Sequence, residues 1–359
     1  VILLDKDMGG EFDHPANTFF DGMFSRAGLE VEREYVLHDL DGMNIISPGG
    51  RVLEISAPGR FIDRARFDSI HLEKAERSGA ELLRGEAKSA ALSGAGRRVE
   101  TKLGEIDAKV VIDASGVDGL VARREGLSPL RHPEDVAWAA EAVIELSGLG
   151  EEKFFEYWVG SMAPGWKATF SPGGGDLAAL GVFVRGHGRD VRPFLDRFVE
   201  LFKHYKSTDY DVDEMRIVSM NRGGDAIAAL PGEIVSDSLM VTGAAAGMSG
   251  LAYAIRAGSI AGEVAAGAVG SKDVSKKGLS PYVRRWNREF YWEYRMGRAS
   301  LETLRKMSDE EIDGLANGLA KRDLNFAGTF ARKGFSAGIA LTRARPRTIP
   351  TLIHSFVEG

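Results

Sequence analysis

Two short turns of small residues stand directly after apolar strands in this sequence. A backbone without bulky side chains can approach a ligand closely there. The first turn is Asp113-Ala114-Ser115-Gly116, after the apolar run 110–112, and the helix that follows carries Arg123 and Arg124. The second is Gly243-Ala244-Ala245-Ala246-Gly247, after 239–241; it runs through Met248, Ser249 and Gly250 into a helical pattern reaching Gly267. A strand, a small-residue turn and a helix in succession aim unpaired N–H groups at the turn, where phosphate can bind. The chain also opens on Val1-Ile2-Leu3-Leu4 and Asp5. An acid at the C-terminal end of a buried parallel strand commonly receives a ribose hydroxyl in dinucleotide folds. Each feature has a plain alternative: a tight helix–strand contact at 243–247, and a solvated turn after a strand at Asp5.

The elements that must position these turns follow from periodicity. Residues 30–62 alternate apolar and polar around the Ser47-Pro48-Gly49-Gly50 turn and predict a hairpin. Residues 63–83 carry apolar side chains at helical spacing, with Gly79 as the stop. From 136 to 184 the pattern is strand-like, aromatic and joined by Gly-rich turns, which predicts an antiparallel sheet; a helix over 191–205 follows. Beyond Ser280 the pattern is helical and rich in Arg and aromatics, with a capping box at Ser308 and Glu311. The expected class is α/β in two domains. A Rossmann-like domain over 1–29, 63–135 and 217–275 is interrupted by an antiparallel-sheet domain over 30–62 and 136–216, and helices occupy 276–359. In a Rossmann unit, roughly 30 residues carrying a GxGxxG turn precede the strand that ends in such an acid.

Composition excludes several chemistries. The chain has 359 residues, a net charge of -6, 44% hydrophobic and 27% charged residues, and no cysteine. Disulfides, thiolate metal sites and cysteine nucleophiles are therefore ruled out. The mild acidity argues against nucleic acid as a partner. The His residues form no HxxxH or HExxH pair, so no metal site is expected. No apolar run approaches the ~18 residues of a membrane span, and no signal peptide is evident, so a cytoplasmic setting is expected.

The segments 64–82 and 110–124, taken in order, resemble the middle of flavoprotein hydroxylase-like enzymes, and 238–267 resembles their later flavin motif. Within that superfamily the chain is most similar to the geranylgeranyl reductase family. The segment 164–182, which opens Pro164-Gly165-Trp166-Lys167-Ala168-Thr169-Phe170, looks like that family's aromatic strand pair, and 282–315 looks like its terminal helices. The resemblance implies an FAD enzyme that saturates isolated C=C bonds of isoprenoid chains, in archaeal relatives those of geranylgeranyl ether lipids. The reduced flavin supplies the hydride; NAD(P)H or ferredoxin would recharge it. It also implies roles. Asp5 takes the adenosine ribose, and Arg64 lies near the cofactor. Ser115 and Gly116 stand where the hydroxylases carry Asp-Gly. Gly243, Ala244, Ala245, Ala246 and Gly247 bring backbone N–H groups to the pyrophosphate and ribityl chain, and Gly250, with Ser249, lies below the isoalloxazine. Trp158, Trp166 and Phe170 either line a slot for the isoprenoid or form ordinary sheet core. Arg284, Arg285, Arg288 and the basic stretch 342–348 either meet anionic headgroups at a membrane surface or form a solvated face. His14 and His38 are proton donors on chemical type alone, and no residue is assigned as catalytic.

The sequence departs from the family pattern at three points. The GxGxxG unit does not appear. Ala244 replaces the aspartate that would bond a ribityl hydroxyl. The flavin loop is short by about half a dozen residues between Met248 and Ser249, where typical loops are themselves short. The first and third are segments that a bound flavin would order, so the whole protein is expected to carry both. The loop over 16–22 falls where relatives often place a Cys-Gly stretch beside the flavin, a role without a cysteine here. Two other functions share the scaffold: a flavin monooxygenase or halogenase, and a flavin-free isoprenoid- or lipid-binding protein.

Overall fold

The periodicities expected from the sequence form in space, and the computed structural model describes residues 1–8 and 17–320. The chain opens with β1 (Ile2–Asp5), β2 (Thr18–Phe20), helix α1 (Asp21–Ala27), the hairpin β3 (Val36–Ile46) and β4 (Val52–Ile62), and α2 (Arg64–Arg77). Next come β5 (Glu81–Arg84), β6 (Ala87–Ser93), β7 (Gly96–Thr101), β8 (Gly104–Ala108), β9 (Val111–Asp113) and the short α3 (Leu120–Arg124). The middle holds β10 (Ala137–Glu145), β11 (Phe154–Trp158), β12 (Lys167–Pro172), β13 (Leu177–Arg185), α4 (Arg192–Lys206) and β14 (Arg216–Asp225). The last described elements are β15 (Val235–Ser236), β16 (Leu239–Val241), α5 (Leu251–Ser271), α6 (Lys276–Leu279), α7 (Pro281–Arg305) and α8 (Asp309–Ala320).

Local chemistry sets the boundaries. The Ser47 carbonyl accepts from Gly50 N at 2.9 Å and closes the β3–β4 turn. The Asp63 side chain accepts from Arg66 N at 2.9 Å and caps α2, which ends before Gly79 at φ +91°. Ser308 Oγ accepts from Glu311 N at 3.3 Å while the Glu311 carboxylate accepts from Ser308 N at 3.1 Å, so the expected capping box opens α8.

The mixed α/β class expected from the sequence holds. One large sheet has eight strands in the order β14-β10-β13-β12-β11-β3-β4-β2, and β6, β7 and β8 form a separate meander. Two features of the large sheet differ from the sequence reading. β3 and β11 pair in parallel, Phe154 with Gly42 through Trp158 with Ile46, so the sheet is not purely antiparallel. Alternation within a strand cannot reveal this, because strand direction is set by the long connection between the two. β14 extends the sheet to Asp225, past the expected border at 216, and β2 adds to its other edge. Strand parity sorts its two faces. Ala142, Ile144, Trp158, Phe170, Leu180 and Val182 pack against Leu195, Phe198 and Phe202 of α4. Their neighbours in sequence, including Glu141, Tyr157, Lys167, Thr169 and Gly181, point to the opposite face.

Candidate functional site

The two small-residue turns lie side by side. β9 and β16 are parallel neighbours, with Asp113 opposite Val241, so both strands release their turns at the same end of the sheet. The first residue after β16 is tied across the gap: Thr242 N donates to the Asp113 carbonyl at 2.9 Å. Asp113 itself is buried, and its carboxylate accepts from Ser115 N at 2.9 Å and Ala122 N at 2.7 Å. It therefore shapes the turn. Ser115 is left exposed, with Gly116 at φ +81°. Ser115 Oγ accepts from Leu120 N at 3.1 Å.

The second turn is a single 3₁₀ turn over Gly243–Ala246. Gly247 closes it at φ +72°, where an added Cβ would sit 3.0 Å from the Leu230 carbonyl carbon, so both conformation and space require glycine. Ala245 and Ala246 are fully buried, whereas Ala244 keeps part of its surface open. Met248 and Ser249 are buried as the chain enters α5 at Gly250, φ +93°. Ser249 Oγ accepts from Ala226 N at 2.7 Å and also holds Asp225. Tyr294 donates to the Ser249 carbonyl at 3.1 Å, and Tyr282 to that of Val241 at 3.0 Å. The turn is thus clamped between the end of β14 and α7.

Asp5 stands exposed at the C-terminal end of β1, parallel to β5, with one carboxylate oxygen accepting from Asp7 N at 2.9 Å. Its other oxygen has no partner in the hydrogen bonds of the turn. Arg64 opens α2 and is engaged by Asp68 at 2.9 Å. Phe67 and Ile70 of α2 share one apolar cluster with Phe24 of α1, and Leu251 and Ile255 at the start of α5 pack against that cluster.

The three aromatics separate. Trp158 packs edge-on to Phe198 (5.7 Å) and Tyr205 (4.8 Å) and donates Nε1–H to Glu156 at 2.9 Å. Phe170 lies 5.0 Å from Phe202. Both are core beneath α4, the second of the two readings drawn from the sequence. Trp166, just before β12, is half-buried, and its buried Nε1 has no partner among the described residues.

On the opposite face the register assembles a group that sequence analysis did not single out. Lys167 stands opposite Phe183, Tyr157 opposite Thr169, Glu141 opposite Gly181, and Asp225 opposite Ala137. The Lys167 Nζ lies 4.6 Å from the Phe183 ring centroid, 4.9 Å from Tyr157 and 5.6 Å from Trp166. Burial pushes the Lys167 ammonium below its ordinary pKa, partly opposed by the charges of Asp225 and Glu141. Burial pushes the Asp225 carboxyl up, against Lys167 and the hydrogen bonds from Ile227 N and Ser249. The available sequence signal was parity: in Trp166-Lys167-Ala168-Thr169-Phe170, the polar residues alternate with the core ones.

The remaining candidates lie elsewhere. His38 is buried, with Nε2 2.8 Å from the Glu152 carbonyl oxygen. Arg284 and Arg288 are exposed on α7, and Arg285 pairs with Glu263 at 2.6 Å. His14, Ala16 of the 16–22 loop, and 342–348 lie outside the described residues. Among the described residues, His132, Glu134 and Asp135 cluster with metal-ligand chemistry. Asp135 is taken by Arg185 at 2.6 Å and by Arg298, whose positive charges oppose a cation. No helix among the described residues is long and apolar enough to cross a membrane.

No family model matches the chain. Digeranylgeranylglycerophospholipid reductase 1 of Methanothermobacter thermautotrophicus is 29% identical over 346 residues, 91% of this chain and 85% of that protein. The digeranylgeranylglycerophospholipid reductase of Methanocaldococcus jannaschii is 31% identical over 316 residues, covering 82% and 78%. Among solved structures, a geranylgeranyl bacteriochlorophyll reductase-like protein from Thermoplasma acidophilum superposes with TM-score 0.85 at 20% identity, covering 99% of this chain and 92% of that one. A flavin-dependent brominase matches at TM-score 0.65 and 15% identity, covering 99% and 92%, a likeness of fold alone.

Proposed function

The chain belongs to the digeranylgeranylglycerophospholipid reductase family, and from that premise we propose that it saturates C=C bonds of geranylgeranyl chains in archaeal-type ether phospholipids. It is a flavin-dependent oxidoreductase. The observation that carries the reading is the junction of β9 and β16, where two ligand-approaching turns are joined by the Thr242–Asp113 hydrogen bond and clamped to the end of the substrate-side sheet through Ser249.

The residues present fit FAD. The Gly243–Ala246 turn, closed by a glycine whose Cβ has no room, offers backbone to the pyrophosphate and ribityl chain. Ser115 and Gly116 present a second exposed turn beside it, and Asp5 keeps a carboxylate oxygen for the adenosine ribose. Ala244 leaves open surface where the family pattern has an acid, so it would offer a ribityl hydroxyl no side-chain hydrogen bond. Ser249 and Gly250 would help hold the ring system, and Arg64 stands on α2, whose Phe67 and Ile70 share an apolar cluster with the start of α5. Bound flavin supplies the hydride and its electron pair. The protein's task is to hold the alkene against it, exclude water and deliver a proton. The face carrying Tyr157, Lys167 and Phe183 is the substrate side, with Trp166 at its rim; Trp158 and Phe170 support that sheet from beneath.

We further infer contact with a membrane surface through the exposed face of α7. Trp292 is 62% exposed, and the exposed Arg288 and Arg284 precede it by about one and two helical turns, an aromatic–basic stripe suited to anionic headgroups. NAD(P)H or ferredoxin is the proposed source of electrons. The test is the purified protein supplied with FAD. A flavin spectrum with bound-state shifts, and geranylgeranyl lipid gaining one H₂ per double bond by mass spectrometry, are the expected results. Bound FAD with no gain in lipid mass would sink the reductase assignment.

A further inference from the structure

The reaction needs a proton as well as a hydride, and the chain has no cysteine to supply it. Lys167 is an unusual residue to find on the inner face of a sheet. Its ammonium is boxed by the rings of Phe183, Tyr157 and Trp166 at 4.6 to 5.6 Å. No oxygen among the described residues comes within hydrogen-bonding or ion-pairing distance of it. Each element packed around it contributes a defined group: Tyr157 from β11, Phe183 from β13, Glu141 from β10 and Asp225 from β14. Of these, Asp225 and Glu141 act on it through charge.

Asp225 links this box to the small-residue turn, because Ser249 holds its carboxylate and then leads to Gly250 at the start of α5. Asp225, whose charge acts on the lysine, is thus tied to the turn entering α5 through Ser249. An ammonium used as a structural cation is normally paired when it is taken from water. One that is left without an acceptor, among aromatic walls, is free to turn its N–H toward a guest.

On the reductase reading above, we propose that Lys167 donates the proton that completes reduction of the isoprenoid double bond. The N–H bond of the ammonium breaks as a C–H bond forms at one alkene carbon. The other carbon accepts the hydride, whose two electrons come from the reduced flavin. The alkene is reduced, the flavin is oxidised, and Lys167, which keeps part of its surface open, is left as a neutral amine that recovers its proton from solvent. Burial loosens the lysine's hold on its proton, partly opposed by the charges of Asp225 and Glu141. Tyr157 is the poorer donor, since burial raises its hydroxyl well above the ordinary phenol range.

The test uses FAD-loaded full chain, reduced without oxygen and mixed with geranylgeranyl phospholipid, following flavin reoxidation and lipid mass from pH 6 to 10. Wild-type reoxidation should fall as pH rises through the lysine's lowered pKa. Lys167→Met should be at least ~100-fold slower on the low-pH plateau, the usual minimum for loss of a general acid, and should lose the fall with pH, with FAD affinity unchanged. Lys167→Arg keeps the cation but cannot release its proton, so it should be equally slow. Independently of turnover, NMR of methylated lysines should show one lysine titrating below the others, and that signal should be missing from Lys167→Met. Wild-type reduction with Lys167→Met within threefold, or Lys167→Arg restoring a tenth or more of the rate, overturns the proposal alone. So does a set of lysines that all titrate together. Wild type that binds FAD yet adds no hydrogen overturns the reductase reading and this proposal with it.

Discussion

Asp113→Asn tests whether the buried carboxylate builds the turn that the proposed cofactor needs. In the wild type one oxygen accepts from Ala122 N at 2.7 Å and the other from Ser115 N at 2.9 Å, in a residue 3% exposed. Asparagine has nearly the same shape but only one acceptor. It would turn its oxygen to the fully buried Ala122, weakening a charge-assisted bond, and set its NH₂ against the Ser115 N–H. Hydrogen bonds to charged groups contribute about 1.5–3 kcal/mol each, and neutral ones about 1. Losing one and downgrading the other costs about 2–4 kcal/mol. Asp113→Ala, which also strands the buried Ala122 amide, should cost more, about 3–5 kcal/mol. At about 1.3 °C per kcal/mol for a chain of 359 residues, Asp113→Asn should lower Tm by about 3–5 °C in scanning fluorimetry. Because Thr242 N donates to the Asp113 carbonyl, displacement of this turn should reach the neighbouring one. FAD affinity measured by fluorescence quenching should therefore fall at least ~10-fold, equivalent to 1.4 kcal/mol. If Asp113→Asn stays within about 0.5 kcal/mol of wild type and binds FAD as before, the clamp argument is wrong.

Four further outcomes can be checked together. Ala244→Asp fills the open position of the Gly243–Ala246 turn, and one recovered hydrogen bond of about 1.4 kcal/mol should tighten FAD binding ~10-fold by titration. Gly247→Ala, at φ +72° and with 3.0 Å to Leu230, should destabilise by about 1–3 kcal/mol. Gly258→Ala in α5, where no atom lies within 4 Å, should instead stabilise by about 0.5–1 kcal/mol; urea titration of the pair separates strain from helix propensity. Lys206→Met should cost about 3–5 kcal/mol, because Glu152 and Glu156 lose the cation at 2.7 and 2.8 Å that neutralises them. The last outcome concerns acid. Burial raises Asp135 and Glu302, but hydrogen bonds and charge from Arg298, Arg185 and Arg305 outweigh it and hold both carboxyls below their ordinary range. Depressed carboxyl pKa values stabilise the fold above the unfolded values near pH 4, and that stability is lost as pH falls through the folded ones. Arg185→Met should therefore move the acid-unfolding midpoint, followed by circular dichroism, to higher pH.

Much of the architecture was legible in the amino acids alone. The 47–50 turn, the Gly79 helix stop, the Ser308–Glu311 capping box and the two strand–turn–helix units depend on neighbours a few residues apart, so local chemistry specified them. The resemblance read from 64–82, 110–124 and 238–267 likewise led to the reductase family, since those motifs keep their order along the chain.

What distance in sequence separates, only tertiary structure could join. The parallel pairing of β3 with β11 spans more than a hundred residues, and no alternation pattern carries strand direction. The same limit divided the aromatics: type alone could not say whether Trp158 and Phe170 faced a slot or a helix, whereas α4 lies on their side of the sheet. Lys167 looked like one more charged residue in a strand. Its meaning came from Tyr157, Phe183 and Asp225, brought around it by three different strands, because burial and the field of distant charges are properties of the assembled fold.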